Sequence, residues 1–190
     1  MSQTSLASVP MAAAVREPLG ERARAIAFLL DAYDGVPPRP GKGLPHTQAV
    51  ADVLRAAGYG PRVQLAGLLH DVVEDTDRTV ADVRTQFGGT VAHIVAQLTE
   101  DDSIQRYAPR KHALREQLRA AGSPALNIAL ADKVATLRHA LLTDTPVRKR
   151  KRHHYWATLQ IARDARVDAT LCRQVEELLD QVEARSVAYA

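Results

Sequence analysis

Apolar residues recur along this chain at intervals of three and four, and no run of apolar/polar alternation is long enough to mark a strand. The first amphipathic segment is ERARAIAFLLDAY, residues 21–33, starting near Pro18. A Pro/Gly-rich loop follows, DGVPPRPGKGLP, which carries Arg39 and Lys42. The second helix is read from His46 through HTQAVADVLRAAG, with a glycine stop at Gly58. Pro61 opens a third, PRVQLAGLLHDVVED, and Thr79 caps a fourth, TVADVRTQF, which Gly88 and Gly89 end. TVAHIVAQLTE makes the fifth, and another begins near Pro109 and contains RKHALREQLRAAG. Ser123 and Pro124 form a cap and first-turn pair for a long helix, PALNIALADKVATLRHALL. Two more helices follow Pro146, the last ending near Arg185. With no internal repeat or low-complexity block, the pattern predicts one all-α helical bundle over residues 19–188, preceded by a mobile tail over residues 1–18.

Two segments break the apolar pattern in the same way. In AGLLHDVVEDTD, His70 and Asp71 stand back to back inside an apolar run, with Glu74 and Asp75 one turn later. His70/Glu74 and Asp71/Asp75 are i, i+4 pairs, so on a continuous helix the four groups form one broad polar patch. Leu68, Leu69, Val72 and Val73 flank them too closely for an ordinary exposed helix end. Burying such groups costs several kcal/mol each unless they are paired or hold a metal. Asp132 repeats the oddity within LNIALADKVATL; pairing with Lys133 or Arg138 is the plain alternative for it. His46 stands at a helix start after a glycine-rich loop, where a surface or capping histidine is the commoner case.

Composition narrows the class. An aromatic content of 4% beside plentiful Ala and Leu favours closely packed helices over a sandwich or barrel. The net charge of +3 is modest and by itself points to neither nucleic acid nor a membrane surface. A single cysteine, Cys172, excludes an internal disulfide and a thiolate zinc cluster, and its setting on an apolar helical face reads as packing. No apolar run approaches the roughly 18 residues of a membrane span, and the N-terminus lacks the layout of a secretory signal, so a soluble cytoplasmic protein is expected. The most basic stretch, VRKRKRHH (residues 147–154), suits nucleic acid or a polyphosphate, the bland alternative being a solvated linker that opens the next helix. Only Tyr155 and Trp156 follow it, too few for a base-stacking platform, so nucleic acid is not the expected partner. Lys111 reads as a helix-surface lysine with a second option of facing phosphates.

Taken together, His46, His70, Asp71 and Asp132 supply two imidazoles and two carboxylates, a mixed N/O set suited to Mn²⁺, Fe²⁺ or Zn²⁺. Such an ion keeps positions open for water and a phosphate oxygen and lowers the pKa of its water. Glu74 and Asp75, one turn on, are placed to orient that water or take its proton.

The stretches HTQAVADVLRAAG, LAGLLHDVVEDTDRTVADVRTQFGGTVAHIVAQLTE and LNIALADK resemble the HD-domain metal-dependent phosphohydrolases, specifically their RelA/SpoT-like alarmone hydrolase branch. The middle stretch is the most specific, because HD, ED, T and FG occur in that family's order and spacing. The resemblance spans about residues 20–142, with a weaker echo in RHHYWATLQIA. It implies an HD-type helical bundle, metal ligation by His46, His70, Asp71 and Asp132, and an ED pair, Glu74 and Asp75, acting on the attacking water. It further implies a small-molecule nucleotide substrate, with loss of the 3′-pyrophosphate from guanosine tetra- or pentaphosphate, and Mn²⁺ as the usual ion, other divalent ions such as Mg²⁺ being alternatives. Arg39, Lys42, Lys133 and Arg138 are the candidate phosphate contacts. The chain departs from the family in its loop, RPGKGLPH, and in reading DKVAT where the family reads DRLHN or DKLHN, so Ala135 and Thr136 replace a His and an Asn. These changes leave the metal set whole and weaken the case for a guanosine alarmone. The rivals are therefore a phosphohydrolase of another nucleotide or phosphoester, and a non-catalytic HD domain serving as sensor or interaction module.

Overall fold

The computed structural model describes residues 20–188; the expected N-terminal tail, residues 1–18, lies outside them. The described residues hold helices and connections and no strand, in the order α1 (Glu21–Ala32), α2 (Leu44–Ala56), α3 (Pro61–Leu69), α4 (Val72–Asp75), α5 (Val80–Phe87), α6 (Gly89–Leu98), α7 (Tyr107–Ala121), α8 (Ala125–Leu142), α9 (Lys149–Asp164) and α10 (Ala169–Ala188). The bundle expected from the periodicity is therefore present, with ends shifted by a few residues: α7 starts two residues before Pro109, and α10 runs three past Arg185.

The largest departure is the third helix. The apolar run predicts one helix over residues 61–75, but the chain leaves it at His70 and Asp71 and resumes for a single turn as α4. Asp71 sits at φ −92°, ψ −7°, in the sparsely allowed bridge region between helix and strand. The break is satisfied locally: the Asp75 N–H donates to the Asp71 carbonyl at 2.9 Å, and Thr76 Oγ1 donates to the Val72 carbonyl at 2.7 Å. Thr79 then starts α5 with a reciprocal capping box, Asp82 N–H to Thr79 Oγ1 at 3.2 Å and Thr79 N–H to Asp82 Oδ2 at 2.8 Å.

Helix α8 forms the centre. Residues on every side of it are buried, from Ala125 through Ala140, as expected of a helix apolar all round, and it packs against α2, α3, α6, α7, α9 and α10. Its frequent alanines (Ala129, Ala131, Ala135, Ala140) let those neighbours approach closely. The α2–α3 contact is tighter still: a Cβ on Gly67 would lie 2.3 Å from Leu54 Cδ1, so only glycine fits there without rearrangement. Cys172 is buried on α10 with Leu171, Val175 and Leu179, matching its reading as packing. No described helix is long and apolar enough to cross a membrane.

Candidate metal centre and its cavity

The three irregular places in the apolar pattern converge. His46 comes from the first turn of α2, His70 and Asp71 from the α3–α4 break, and Asp132 from the middle of α8. One ligand atom each from His46, His70 and Asp132 lies within 4.8 Å of the others. His46 Nε2 is 3.1 Å from Asp132 Oδ1 and 3.9 Å from Asp71 Oδ2, and His70 Nε2 is 3.2 Å from Asp71 Oδ1. Asp71 thus sends one carboxylate oxygen toward each imidazole.

The donor set fits a divalent cation on an observation independent of resemblance. His70 Nδ1 bonds the Gly67 carbonyl at 2.8 Å, which assigns the proton to that nitrogen and leaves the Nε2 lone pair bare. That Nε2 is buried and has no hydrogen-bond partner. A buried acceptor without a donor is costly, and a cation between two imidazoles and two carboxylates satisfies it. The backbone-carbonyl bond on the far nitrogen is also the usual way a ligating imidazole is oriented.

The surrounding charges are strongly coupled. Burial alone would raise the Asp132 carboxyl, but the hydrogen bond with His46 and the Lys133 ammonium hold it well below the usual carboxylate range. Burial likewise opposes ionisation of Asp71, and the positive charge beside it, the Lys42 ammonium included, outweighs burial and lowers its pKa. Lys42 Nζ donates to Asp71 Oδ2 at 2.6 Å and lies 3.7 Å from Asp75 Oδ2. Burial would push the Lys42 ammonium down, but Asp71 more than offsets this and the pKa rises.

A cavity of about 300 Å³ opens from this cluster. Lys42, Glu74 and Lys133 line it as expected. Glu74 accepts the Glu100 backbone N–H at 2.8 Å, and burial, with the Asp71 charge next, pushes its pKa up to about 7. Lys133 is buried, donates to the Ala129 carbonyl at 3.1 Å and stands 5.1 Å from the centre of the Tyr155 ring; burial lowers its pKa despite Asp132.

Three expected residues stand elsewhere. Asp75 does not line the cavity; its side chain is 4% exposed, accepts from Arg39 Nη2 at 2.7 Å, and faces the 34–43 loop. Arg39 is half exposed, held by that ion pair and outside the cavity lining. Arg138 is exposed, outside the cavity lining, and donates to Gln174 Oε1 on α10 at 3.1 Å. The basic run opens α9, as the bland alternative has it: Arg148 takes the N-cap position, Lys149 to His154 lie in the first two turns, and Lys151 lines the cavity.

The sequence marks neither Glu100 nor Tyr107, offers His154 only as the end of the basic run, and gives Lys111 a surface reading with phosphate contact as the alternative. All four line the cavity, as does Thr136. Glu100 ties Lys111 and Arg110 together, with Arg110 Nε at 2.7 Å from its Oε2. His154 Nδ1 accepts from Arg115 Nη1 at 3.0 Å, and burial, with Lys133, Lys111 and Arg115, pushes its pKa down to about 2. Thr136 Oγ1 lies 3.4 Å from Asp132 Oδ1, so one of the two departures from the family pattern faces the reacting space; the other, Ala135, is packed in the core.

Comparison with known proteins agrees with this geometry. Residues 25–168 match the family model described as "HD domain". The chain is 34% identical over 123 residues to the fly protein (Drosophila melanogaster) guanosine-3′,5′-bis(diphosphate) 3′-pyrophosphohydrolase MESH1, an alignment covering 63% of this chain and 68% of that protein. It is 39% identical over 95 residues to human MESH1 (Homo sapiens), covering 49% of this chain and 52% of the relative, so it spans about half of that protein's length. Among solved structures, one described as "a metazoan ortholog of SpoT" that "hydrolyzes ppGpp and plays a role in starvation responses" superposes with a TM-score of 0.69 at 26% identity, covering 88% of this chain and 98% of that one. With the family model matched across most of the described residues, and His46, His70 and Asp132 gathered from α2, the end of α3 and α8 with Asp71 beside the two imidazoles, the chain belongs to the HD-domain family.

Proposed function

We propose that the protein is a metal-dependent pyrophosphohydrolase that removes the 3′-diphosphate from guanosine 3′,5′-bis(diphosphate) or its pentaphosphate analogue. The observation that carries this reading is the bare, buried Nε2 of His70 beside His46, Asp71 and Asp132, at the end of a cavity that also holds Glu74 and a set of lysines. Names and reactions of the MESH1 relatives support the substrate.

His46, His70, Asp71 and Asp132 hold the ion in this reading, Mn²⁺ first among the divalent candidates. When bound, a divalent ion supplies a Lewis acid and a water that ionises near neutral pH. Glu74, with its pKa raised to about 7, takes the proton of the attacking water on its carboxylate. The Glu100 N–H holds that carboxylate in place. Lys42, Lys111, Lys133 and Lys151 line the same cavity and offset the charge of the diphosphate. Asp75 serves as a positioning residue, tethering Arg39 and Lys42 on the loop over the site. A cytoplasmic location belongs to the same reading.

A second reading, hydrolysis of another nucleotide or phosphoester by the same centre, is favoured by Thr136 standing in the cavity where the family pattern has Asn. A non-catalytic HD sensor fits less well, because a binder has no need of a carboxyl with an elevated pKa beside its metal ligands. The deciding assay is release of pyrophosphate by the Mn²⁺-loaded protein from guanosine 3′,5′-bis(diphosphate), run beside GTP, ATP and a simple phosphoester. Fastest turnover on the bis(diphosphate) is expected. Faster turnover of another compound establishes the second reading, and no turnover of any with metal bound establishes the sensor.

A further inference from the structure

The N-terminal halves of α7 and α9 meet outside the metal cavity, and the groove between them is unlike the rest of the surface. Its concave volume is about 550 Å³, and Tyr107, Lys111, Arg115, Lys149, Arg150 and His153 line it without a single carboxylate. Several arginines elsewhere in the bundle are matched to acids, among them Arg22 to Asp52, Arg78 to Asp31, Arg119 to Glu116 and Arg163 to Glu176. In the groove, Lys149 and His153 have no polar side-chain partner among the described residues, and Arg150 has only an aromatic face, its guanidinium 4.7 Å above the Tyr107 ring centre. Stacking in this way fixes the guanidinium plane and leaves its N–H edge free for a two-oxygen anion.

Local charge placement makes the absence of acids more informative. Lys149, Arg150 and Lys151 occupy the first turn of α9, where the helix already presents positive charge, and no acidic residue or side-chain cap offsets them. The adjoining start of α7 also lacks an acid in its first turn and a side-chain cap. Glu100 relieves Lys111 and the Tyr107 ring faces Arg150, while Lys149 and His153 have no such partner among the described residues. A second shallow cavity of about 400 Å³, on the other flank of the Arg150–Tyr107 stack, is lined by Arg148, Arg150 and Lys151 and again by no carboxylate. Tyr107, Lys111 and His154 line both the outer groove and the metal cavity, so the two are neighbours across one wall. His154 is buried in that wall, with Nδ1 occupied by Arg115.

We propose that the α7–α9 groove is a second anion site that binds a short oligophosphate chain, held by Lys149, Arg150 and His153, apart from the bond that is hydrolysed. A chain of two or three phosphates suits the groove better than nucleic acid: the cations cluster around one concavity rather than tracking a long stripe, and Tyr107 is already covered by Arg150. Two sources share this chemistry, the substrate's own 5′-phosphates or a separate small oligophosphate. The groove itself is argued independently of the reaction; only its assignment to the substrate's 5′-chain rests on the proposed function.

The test measures binding of sodium tripolyphosphate to the metal-free 190-residue chain by calorimetry. Lys149→Glu, which breaks no contact, and Arg150→Ala are each expected to weaken binding about tenfold. The control Arg62→Ala/Arg173→Ala, which removes two exposed charges on other faces, is expected to leave it unchanged. Unchanged binding in both groove variants, or equal weakening in the control, overturns the proposal. So does tighter binding of a 12-nucleotide single strand than of tripolyphosphate with the same sensitivity to Lys149→Glu, which makes the groove a nucleic-acid surface. In a second arm, KM is compared for guanosine 3′,5′-bis(diphosphate) and for guanosine 3′-diphosphate, which lacks the 5′-chain. If Lys149→Glu raises KM for the first alone, the groove holds the substrate's own chain; if tripolyphosphate binding falls and neither KM moves, it holds a separate oligophosphate. Failure of both nucleotides to react removes the proposed function and leaves the binding arm to decide the groove.

Discussion

Replacing Glu74 by glutamine removes a charge that the fold opposes while keeping the shape and the carbonyl oxygen that accepts the Glu100 N–H. Burial and the Asp71 charge raise the Glu74 pKa from its ordinary 4.5 to about 7. At about 1.4 kcal/mol per tenfold change in proton affinity, the ionised form costs the metal-free fold about 3 kcal/mol. The folded chain binds this proton more tightly than the unfolded chain, so folding takes up a proton between pH 4.5 and about 7. Wild-type stability therefore falls as pH rises through that window, and below it the cost is absent. Glutamine, neutral throughout, does not follow this slope. In urea unfolding of the chelated protein from pH 4.5 to 8, the variant should match the wild type at the acid end and exceed it by about 3 kcal/mol at the alkaline end. Other titrating groups cancel in the difference. Parallel stability curves for the two proteins would refute the claim that the surroundings raise the Glu74 pKa. The same variant, loaded with Mn²⁺, should retain the metal and lose turnover.

Asp71→Ala removes the carboxylate that faces both imidazoles and leaves Lys42 without its closest partner; calorimetric titration with Mn²⁺ should show affinity lowered by at least about 100-fold, and full occupancy would remove Asp71 from the ligand set. Gly67→Ala places a methyl 2.3 Å from Leu54 Cδ1 in a fully buried contact, so the usual helix gain from alanine is outweighed by overpacking of about 1–3 kcal/mol. Thermal unfolding should show a lower midpoint for this variant, and weaker metal binding should accompany it because the Gly67 carbonyl orients His70. A midpoint above that of the wild type would mean that Leu54 has room to turn aside.

How much of the site could be read from the sequence depended on how each residue is held. Asp132 and the His70–Asp71 pair were visible because charge inside an apolar stretch has few stable explanations, and His46 became meaningful only beside them. Asp75 was assigned a place beside the water because a continuous helix keeps Asp71 and Asp75 on one face. The break at His70–Asp71 rotates the following turn, so Glu74 lines the cavity while Asp75 meets Arg39 and the loop. Nothing in the apolar pattern marks that break, since Val72 continues it and is fully buried. Lys111 and Lys151 carried a surface reading beside a phosphate-facing one for a different reason. Each sits on an amphipathic helix where long cationic side chains are ordinary, and only the meeting of α7 with α9 turns them toward one space. Glu100 belongs to the α6–α7 connection, whose path follows from tertiary packing rather than periodicity. The helices themselves were legible because a 3.6-residue apolar period leaves little choice, and their ends were shifted by only a few residues.

The central position of α8 divides the cavity into parts with different freedom. Asp132, Lys133 and Thr136 ride on a helix gripped by six others, so that floor moves only if the whole bundle does. The rim is built otherwise: Pro40, Gly41 and Lys42 come from a loop, and Lys151 from the first turn of a helix. Any adjustment to a bound nucleotide therefore falls on the rim rather than on the floor. The loop's tethers are the carboxylates of Asp71 and Asp75, so a cation drawn to Asp71 competes with Lys42 for the same oxygen and loosens the rim as it binds.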